Sequence, residues 1–149
     1  MPKNFLPVCL NLHNFKILIV GGGHAALSKL KTLLKFDCAP CVIAKVSNQP
    51  IQKLAQRNKI SLTLREFEKS DLAGFQVVYA CTDDMALNQQ IALWAKQQKM
   101  LCNISGDFKL SNFISTAIYR KNKVMVAVST SGQSPLLAVS VRNRLKRSL

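Results

Sequence analysis

The stretch Lys16–Ala26, KILIVGGGHAA, constrains this chain more than any other. Ile17–Val20 is an unbroken run of β-branched residues and Leu, the pattern of a parallel strand buried on both faces. Gly21, Gly22 and Gly23 follow directly, and Ala25–Phe36 then carries apolar residues at helical spacing. Strand, glycine turn and helix start, in that order, are the setting in which a G-x-G-x-x-G/A fingerprint has meaning. Here the fingerprint falls on Gly21, Gly23 and Ala26. Gly21 permits the tight turn, Gly23 has no Cβ to hold a pyrophosphate off the backbone, and Ala26 lets the helix pack close to the strand. The helix N-terminus adds unpaired N–H groups and about half a positive charge. The competing reading is a glycine turn that binds nothing.

The pattern continues along the chain. Phe5–Leu12, apolar with a proline, reads as an extended lead-in or an edge strand. In the first helix Leu27, Leu30, Leu33 and Leu34 form the apolar face, with Lys29, Lys31 and Lys35 opposite. Ala39–Ala44 is a second strand, and Asn48 caps a helix over Pro50–Arg57 that has proline in its first turn. Ser61–Arg65 is a third strand, Ser70–Ala73 a helical turn, and Gln76–Ala80 a fourth strand. A helix over Met85–Gln98 and a fifth strand, Leu101–Ile104, complete an alternating β-α pattern with short connections. This is a Rossmann-like, doubly wound parallel sheet of the α/β class. After Ile104 the rhythm changes. Phe113–Tyr119 and Val124–Ser129 alternate around Arg120–Lys123 as a β-hairpin, and Ser134-Pro135 opens a last helix reaching about Lys146. The expected division is therefore 1–106 for the dinucleotide-binding domain and 107–149 for a hairpin and helix. The second part is too small to bury a core alone, so it leans on the first domain or on a second copy of the chain.

Composition narrows the classes. The 149 residues carry 21 basic and 7 acidic side chains, a net charge of +14 that favours an anionic partner. The basic residues are scattered, with one knot at Arg142, Arg144, Lys146 and Arg147, and no aromatic ladder interleaves them, which argues against nucleic acid. No apolar run reaches the roughly 18 residues of a membrane span, and the N-terminus lacks the pattern of a signal peptide. The five cysteines, mostly within apolar runs, fit reduced thiols in a cytoplasm. Cys38 and Cys41 form a lone C-x-x-C with no second pair, so no metal site is expected.

Ligands of open α/β sheets bind beyond the carboxyl ends of the strands. Asp83, Asp84 and Asp107 follow strands four and five, and His24 lies in the glycine loop. Each has an ordinary alternative: Asp83 and Asp84 as a helix cap, Asp107 as a turn residue, and Ser129–Pro135 as a cap rather than an anion nest. The acid that commonly follows the second strand, and holds a ribose, is absent. Ala44 and Lys45 stand there, and Lys45 would suit a 2′-phosphate, which leaves NAD against NADP open.

Taken together these motifs resemble the bifunctional precorrin-2 dehydrogenase / sirohydrochlorin ferrochelatase family, the N-terminal module of siroheme synthase. The resemblance runs through Phe5–Val8, Ile19–Gly23, Ala80–Asp84, Leu87–Gln89, Cys102-Asn103, Phe113-Ile114, Met125–Ser129 and Gly132–Pro135. It implies NAD-dependent oxidation of precorrin-2 to sirohydrochlorin, with ferrous iron insertion added in many members, and a homodimer joined through the hairpin region. It also implies NAD contacts at Gly21, Gly22, Gly23, His24, Ala25, Lys45, Val46, Thr82 and Asp83. A tetrapyrrole substrate would meet Asn103, Ser129 and Ser131. The chain departs from the family at Gly106, where the important aspartate is expected; Asp107, one residue later, is the candidate catalytic group. Family members also continue into a further helical segment beyond the position of Leu149. Two other readings stay open: a degenerate relative that binds dinucleotide or tetrapyrrole without turnover, and a dehydrogenase of another small anion.

Overall fold

A computed structural model describes residues 4–149. Among the described residues the chain forms two compact units, 8–112 and 113–149 with 4–7. In the first, β1 (Ile17–Val20), β2 (Cys41–Ala44), β3 (Ser61–Leu64), β4 (Val77–Ala80) and β5 (Leu101–Ile104) make a parallel sheet in the order β3-β2-β1-β4-β5. α1 (His24–Leu33), α2 (Gln49–Gln56) and α3 (Met85–Gln97) provide crossovers. The order reverses between β1 and β4, and such a switch point opens a crevice at the carboxyl end of the sheet.

Burial explains the strands. All residues of β1 and β4 are buried, as a central strand covered on both faces requires. Ile91 and Ala95 of α3 join Val20, Val78 and Ile104 in the core beneath the crevice. α1 buries Ala26, Leu27, Leu30 and Leu33. Lys29, expected on its outer face, is instead partly covered, and its ammonium lies 5.6 Å from the centre of the Tyr79 ring. Burial holds its pKa below the ordinary lysine value.

Helix starts follow the sequence closely. Asn48 accepts from the Ile51 amide at 3.1 Å, Asp84 from Leu87 at 3.0 Å, and Ser134 from Leu137 at 3.3 Å. Pro135 lies in the first turn of α4 (Pro135–Lys146). One expectation is narrowed and one corrected. Of the two readings of residues 5–12 the edge strand falls, since they form no strand, and Cys9 is exposed. The hairpin is shorter and tighter than alternation suggested: β6 (Ala117–Lys121) pairs with β7 (Val124–Val128), Lys121 opposite Val124. Its turn is Asn122-Lys123, with Asn122 at φ +53°, a left-handed conformation that asparagine adopts more readily than most residues.

The free edge of β5 is closed by its own loop. The Asn112 side chain accepts from the Cys102 amide at 2.7 Å and donates to the Met100 carbonyl at 2.7 Å, so it mimics a sixth strand. No described helix is long and apolar enough to cross a membrane.

Candidate functional site

A cleft of about 690 Å³ opens at the carboxyl ends of β1, β2 and β4 in the unit 8–112. Gly21–Ala25 form its floor, Lys45–Asn48 and Arg65 one wall, and Thr82–Asp84 the other. It therefore gathers all nine residues named for a dinucleotide: Gly21, Gly22, Gly23, His24, Ala25, Lys45, Val46, Thr82 and Asp83.

The three glycines do different work. Gly21 has φ +118°, and a Cβ there would lie 2.3 Å from the Cys81 carbonyl oxygen. A Cβ on Gly22 would lie 2.2 Å from the Val46 carbonyl oxygen. Both distances are far inside van der Waals contact, so the fold itself excludes side chains at these positions. Gly23 is unlike them. It is exposed, its backbone is extended at φ −97° and ψ −159°, and a Cβ would meet no protein atom within 4 Å. Any residue could stand there as far as the protein is concerned.

Gly23 is also the N-cap of α1, and it gives that helix no side-chain cap. The first turn of α1 holds no acid. Its leading amides and the positive end of its dipole thus stand at the cleft, with no acid of its own first turn to engage them. Bare backbone, an open side-chain position and an uncapped helix start fit a diphosphate: the residues present match the requirements of a dinucleotide.

The β4 wall is held by a residue that the motifs did not single out for a role. Asn88 is fully buried on α3. Its carboxamide oxygen accepts from the Thr82 hydroxyl at 2.7 Å and amide at 3.3 Å, and its NH2 donates to the Thr82 carbonyl at 2.9 Å. The Thr82 hydroxyl also approaches the Asp84 carbonyl at 3.0 Å. A polar residue flanked by Leu87 and Ile91 on an otherwise apolar helix face was the available signal. Asp84 is occupied as the cap of α3, whereas Asp83 beside it is exposed on the cleft wall.

At the β2 end, Lys45 makes a 2.7 Å ion pair with Glu66, which follows β3. Each partner strengthens the other's charge: the shared hydrogen bond raises the Lys45 pKa and lowers that of Glu66. Next to them Arg65 grips Asp71 with two hydrogen bonds of 2.7 and 2.6 Å, which lowers the Asp71 pKa and raises that of Arg65. Val46, 80% exposed, and Phe67 supply apolar surface on this side of the cleft.

Asp107 lies beyond β5, the strand beside β4, and outside the cleft lining. Its Oδ1 accepts from the amides of Lys109 at 2.9 Å and Leu110 at 3.3 Å, and its carbonyl accepts from the buried Ser111 hydroxyl. Gly106 precedes it with φ +81°, so the chain turns at the position where the family pattern has its aspartate. Asn103 is 5% exposed within β5. Ser129 and Ser131 belong to the other unit, in the turn before α4, where the Ser129 hydroxyl accepts from the Ser131 amide at 3.1 Å. Among the described residues no three His, Cys, Asp or Glu side chains gather as a metal site would require.

Comparison with known proteins agrees with this geometry. The sequence model of an NAD(P)-binding family matches residues 8–117, and that of the central part of a sirohaem biosynthesis protein matches 126–148. The chain is 40% identical over 143 residues to siroheme synthase of Methylococcus capsulatus, covering 96% of this chain and 30% of that protein. It is 35% identical to siroheme synthase of Actinobacillus pleuropneumoniae over 96% of this chain and 29% of that protein. The chain thus spans about a third of the length of these relatives. Among solved structures, SirC, a precorrin-2 dehydrogenase, superposes with a TM-score of 0.83 at 25% identity, over 97% of this chain and 71% of that one. With the fingerprint loop, the sheet order and these matches in agreement, the chain belongs to the NAD(P)-binding family, among relatives that include siroheme synthases and a precorrin-2 dehydrogenase.

Proposed function

We propose that this chain oxidises precorrin-2 to sirohydrochlorin with NAD⁺, a reading that its likeness to SirC, a precorrin-2 dehydrogenase, supports. The observation that carries the reading is Gly23: its missing side chain has no steric reason inside the protein and a clear one in a bound diphosphate. Gly22, Gly23 and the first amides of α1 hold the diphosphate, Lys45 and Val46 flank the adenosine half, and Thr82 and Asp83 flank the nicotinamide. His24 and Ala25 line the cleft beside the glycines. When bound, the nicotinamide ring supplies the hydride acceptor.

The chain's own part is orientation and proton handling. Asn88 fixes Thr82, and with it the wall that the reacting face of the substrate must approach. Asp107 takes the proton that leaves the macrocycle as its hydride departs. The net charge of +14 draws in a substrate bearing eight carboxylates. Asn103 of β5, and separately the Ser129 and Ser131 hydroxyls, are the groups assigned to those carboxylates in this reading.

A homodimer through 107–149 belongs to the same proposal. Leu136 is 84% exposed, Leu137 54% and Val124 50%, more apolar surface than so small a unit leaves open without a partner.

The test is direct. Purified protein is mixed with precorrin-2 and NAD⁺, and the absorbance of sirohydrochlorin is followed as NADH appears. Matched formation of both supports the proposal. NADH binding without turnover would favour the degenerate reading, to which the turn contacts of Asp107 already lend support. Ferrous iron added afterwards reports whether this chain continues to siroheme.

A further inference from the structure

The end of β2 lacks the acid that normally receives an adenosine ribose, and Lys45 in its place looks suited to a 2′-phosphate. The structure changes that picture, because a carboxylate from the end of the neighbouring strand pairs with Lys45, which lines the cleft. Glu66 follows β3, which pairs with β2 in register up to Ala44 opposite Leu64. Its carboxylate sits 2.7 Å from the Lys45 ammonium. Arg65 and Phe67, on either side of Glu66 in sequence, both line the cleft. Arg65, the other cation on this wall, is held by Asp71.

The charge balance follows. Lys45 pairs with Glu66 and Arg65 with Asp71, so two cations are set against two carboxylates. A 2′-phosphate brings about two further negative charges to a place whose charges are already matched. A ribose 2′-hydroxyl brings none and can donate to a carboxylate. The pair is 70% and 74% exposed, and exposed ion pairs contribute little to folding, so stability gives it no strong reason to exist.

We propose that the Lys45–Glu66 pair is the element that selects NAD over NADP: Glu66, from β3, takes the place of the acid missing from β2 and cancels the charge of Lys45. This inference rests on reading the cleft as a dinucleotide site. It makes two demands. Removing Glu66 must admit NADP(H), and the gain must depend on Lys45.

The experiment measures dissociation constants of NADH and NADPH by calorimetry for the full chain, Glu66→Gln, and the double variant Lys45→Gln/Glu66→Gln. Both positions are exposed, and thermal melts confirm that the variants fold. Glu66→Gln is expected to bind NADPH about tenfold more tightly than the parent and NADH more weakly, because the ribose hydroxyl loses its carboxylate acceptor. In the double variant the NADPH gain disappears. Unchanged NADPH affinity in Glu66→Gln, with NADH still bound, overturns the selectivity role and leaves the cleft's assignment standing. So does a gain that survives loss of Lys45. A parent that binds neither nucleotide overturns the dinucleotide reading and this inference with it.

Discussion

Replacing Gly23 by aspartate separates what the fold wants at this position from what a ligand wants. For the fold the change is favourable. The backbone is extended, so a side chain brings no strain, and a Cβ finds open space. Aspartate is a strong N-cap, and α1 is the one α-helix among the described residues without a side-chain cap bond. Replacing Gly lowers the entropy of the unfolded chain, and a negative charge meets the positive end of the helix. Together these are worth about 1 kcal/mol, a rise in melting temperature of about 2–4 °C for a chain of this size. For a dinucleotide the change is ruinous, because a carboxylate occupies the place of the diphosphate and repels it. The expected loss of NADH affinity is about 100-fold or more, roughly 3 kcal/mol. Gly22→Ala is the contrasting control: its Cβ would lie 2.2 Å from the Val46 carbonyl, so the backbone must move, at a cost of about 2–3 kcal/mol. Thermal melts and calorimetry on the two variants read both quantities. A Gly23→Asp protein that is less stable than the parent, or one that still binds NADH, would refute this reasoning.

Four further predictions follow from the same structure. Asp107→Asn keeps an oxygen to accept from the Lys109 and Leu110 amides, so steady-state assays should find turnover down about 100-fold or more with NADH affinity nearly unchanged; full turnover would clear Asp107 of a chemical role. Asn88→Ala removes three hydrogen bonds to Thr82 from a fully buried position and should lower stability by about 2–4 kcal/mol in denaturant unfolding. The Asp71 pKa is depressed in the folded chain, so its contribution is present above the ordinary aspartate pKa and is lost as pH falls through the folded value; Asp71→Asn should flatten the acid limb of the stability–pH curve below about pH 4. Burial raises the thiols of Cys81 and Cys102 to about 11 and about 12, so mass spectrometry after alkylation at pH 8 should find exposed Cys9 modified first and these two only on unfolding.

What the sequence discloses and what it conceals divide along the range of the interactions. The strand–glycine–helix unit was legible because each part is local: the apolar run of β1, the turn at Gly21 and the face of α1 are specified within a few neighbours. The caps Asn48, Asp84 and Ser134 were legible for the same reason, since each closes on an amide three residues ahead. The purpose of Gly22 was not, because the atom it avoids is the Val46 carbonyl on another strand end. Glu66 was visible only as one of seven acids, for its pairing with Lys45 depends on the register of β2 and β3. Alternation overextended the hairpin into residues 113–116, because the ladder begins only at Ala117, opposite Val128. Asp107 holds a turn, as the ordinary alternative required, and its catalytic role is a proposal that the Asp107→Asn assay decides.

In the proposed complex a diphosphate lies on bare backbone between β1 and α1. A crystal structure of the chain grown with NADH decides this: the diphosphate is expected over Gly22 and Gly23 with the first amides of α1 donating to it, and the nicotinamide beside Thr82 and Asp83. A nucleotide bound elsewhere, or a cleft that stays empty at saturating NADH, would contradict it.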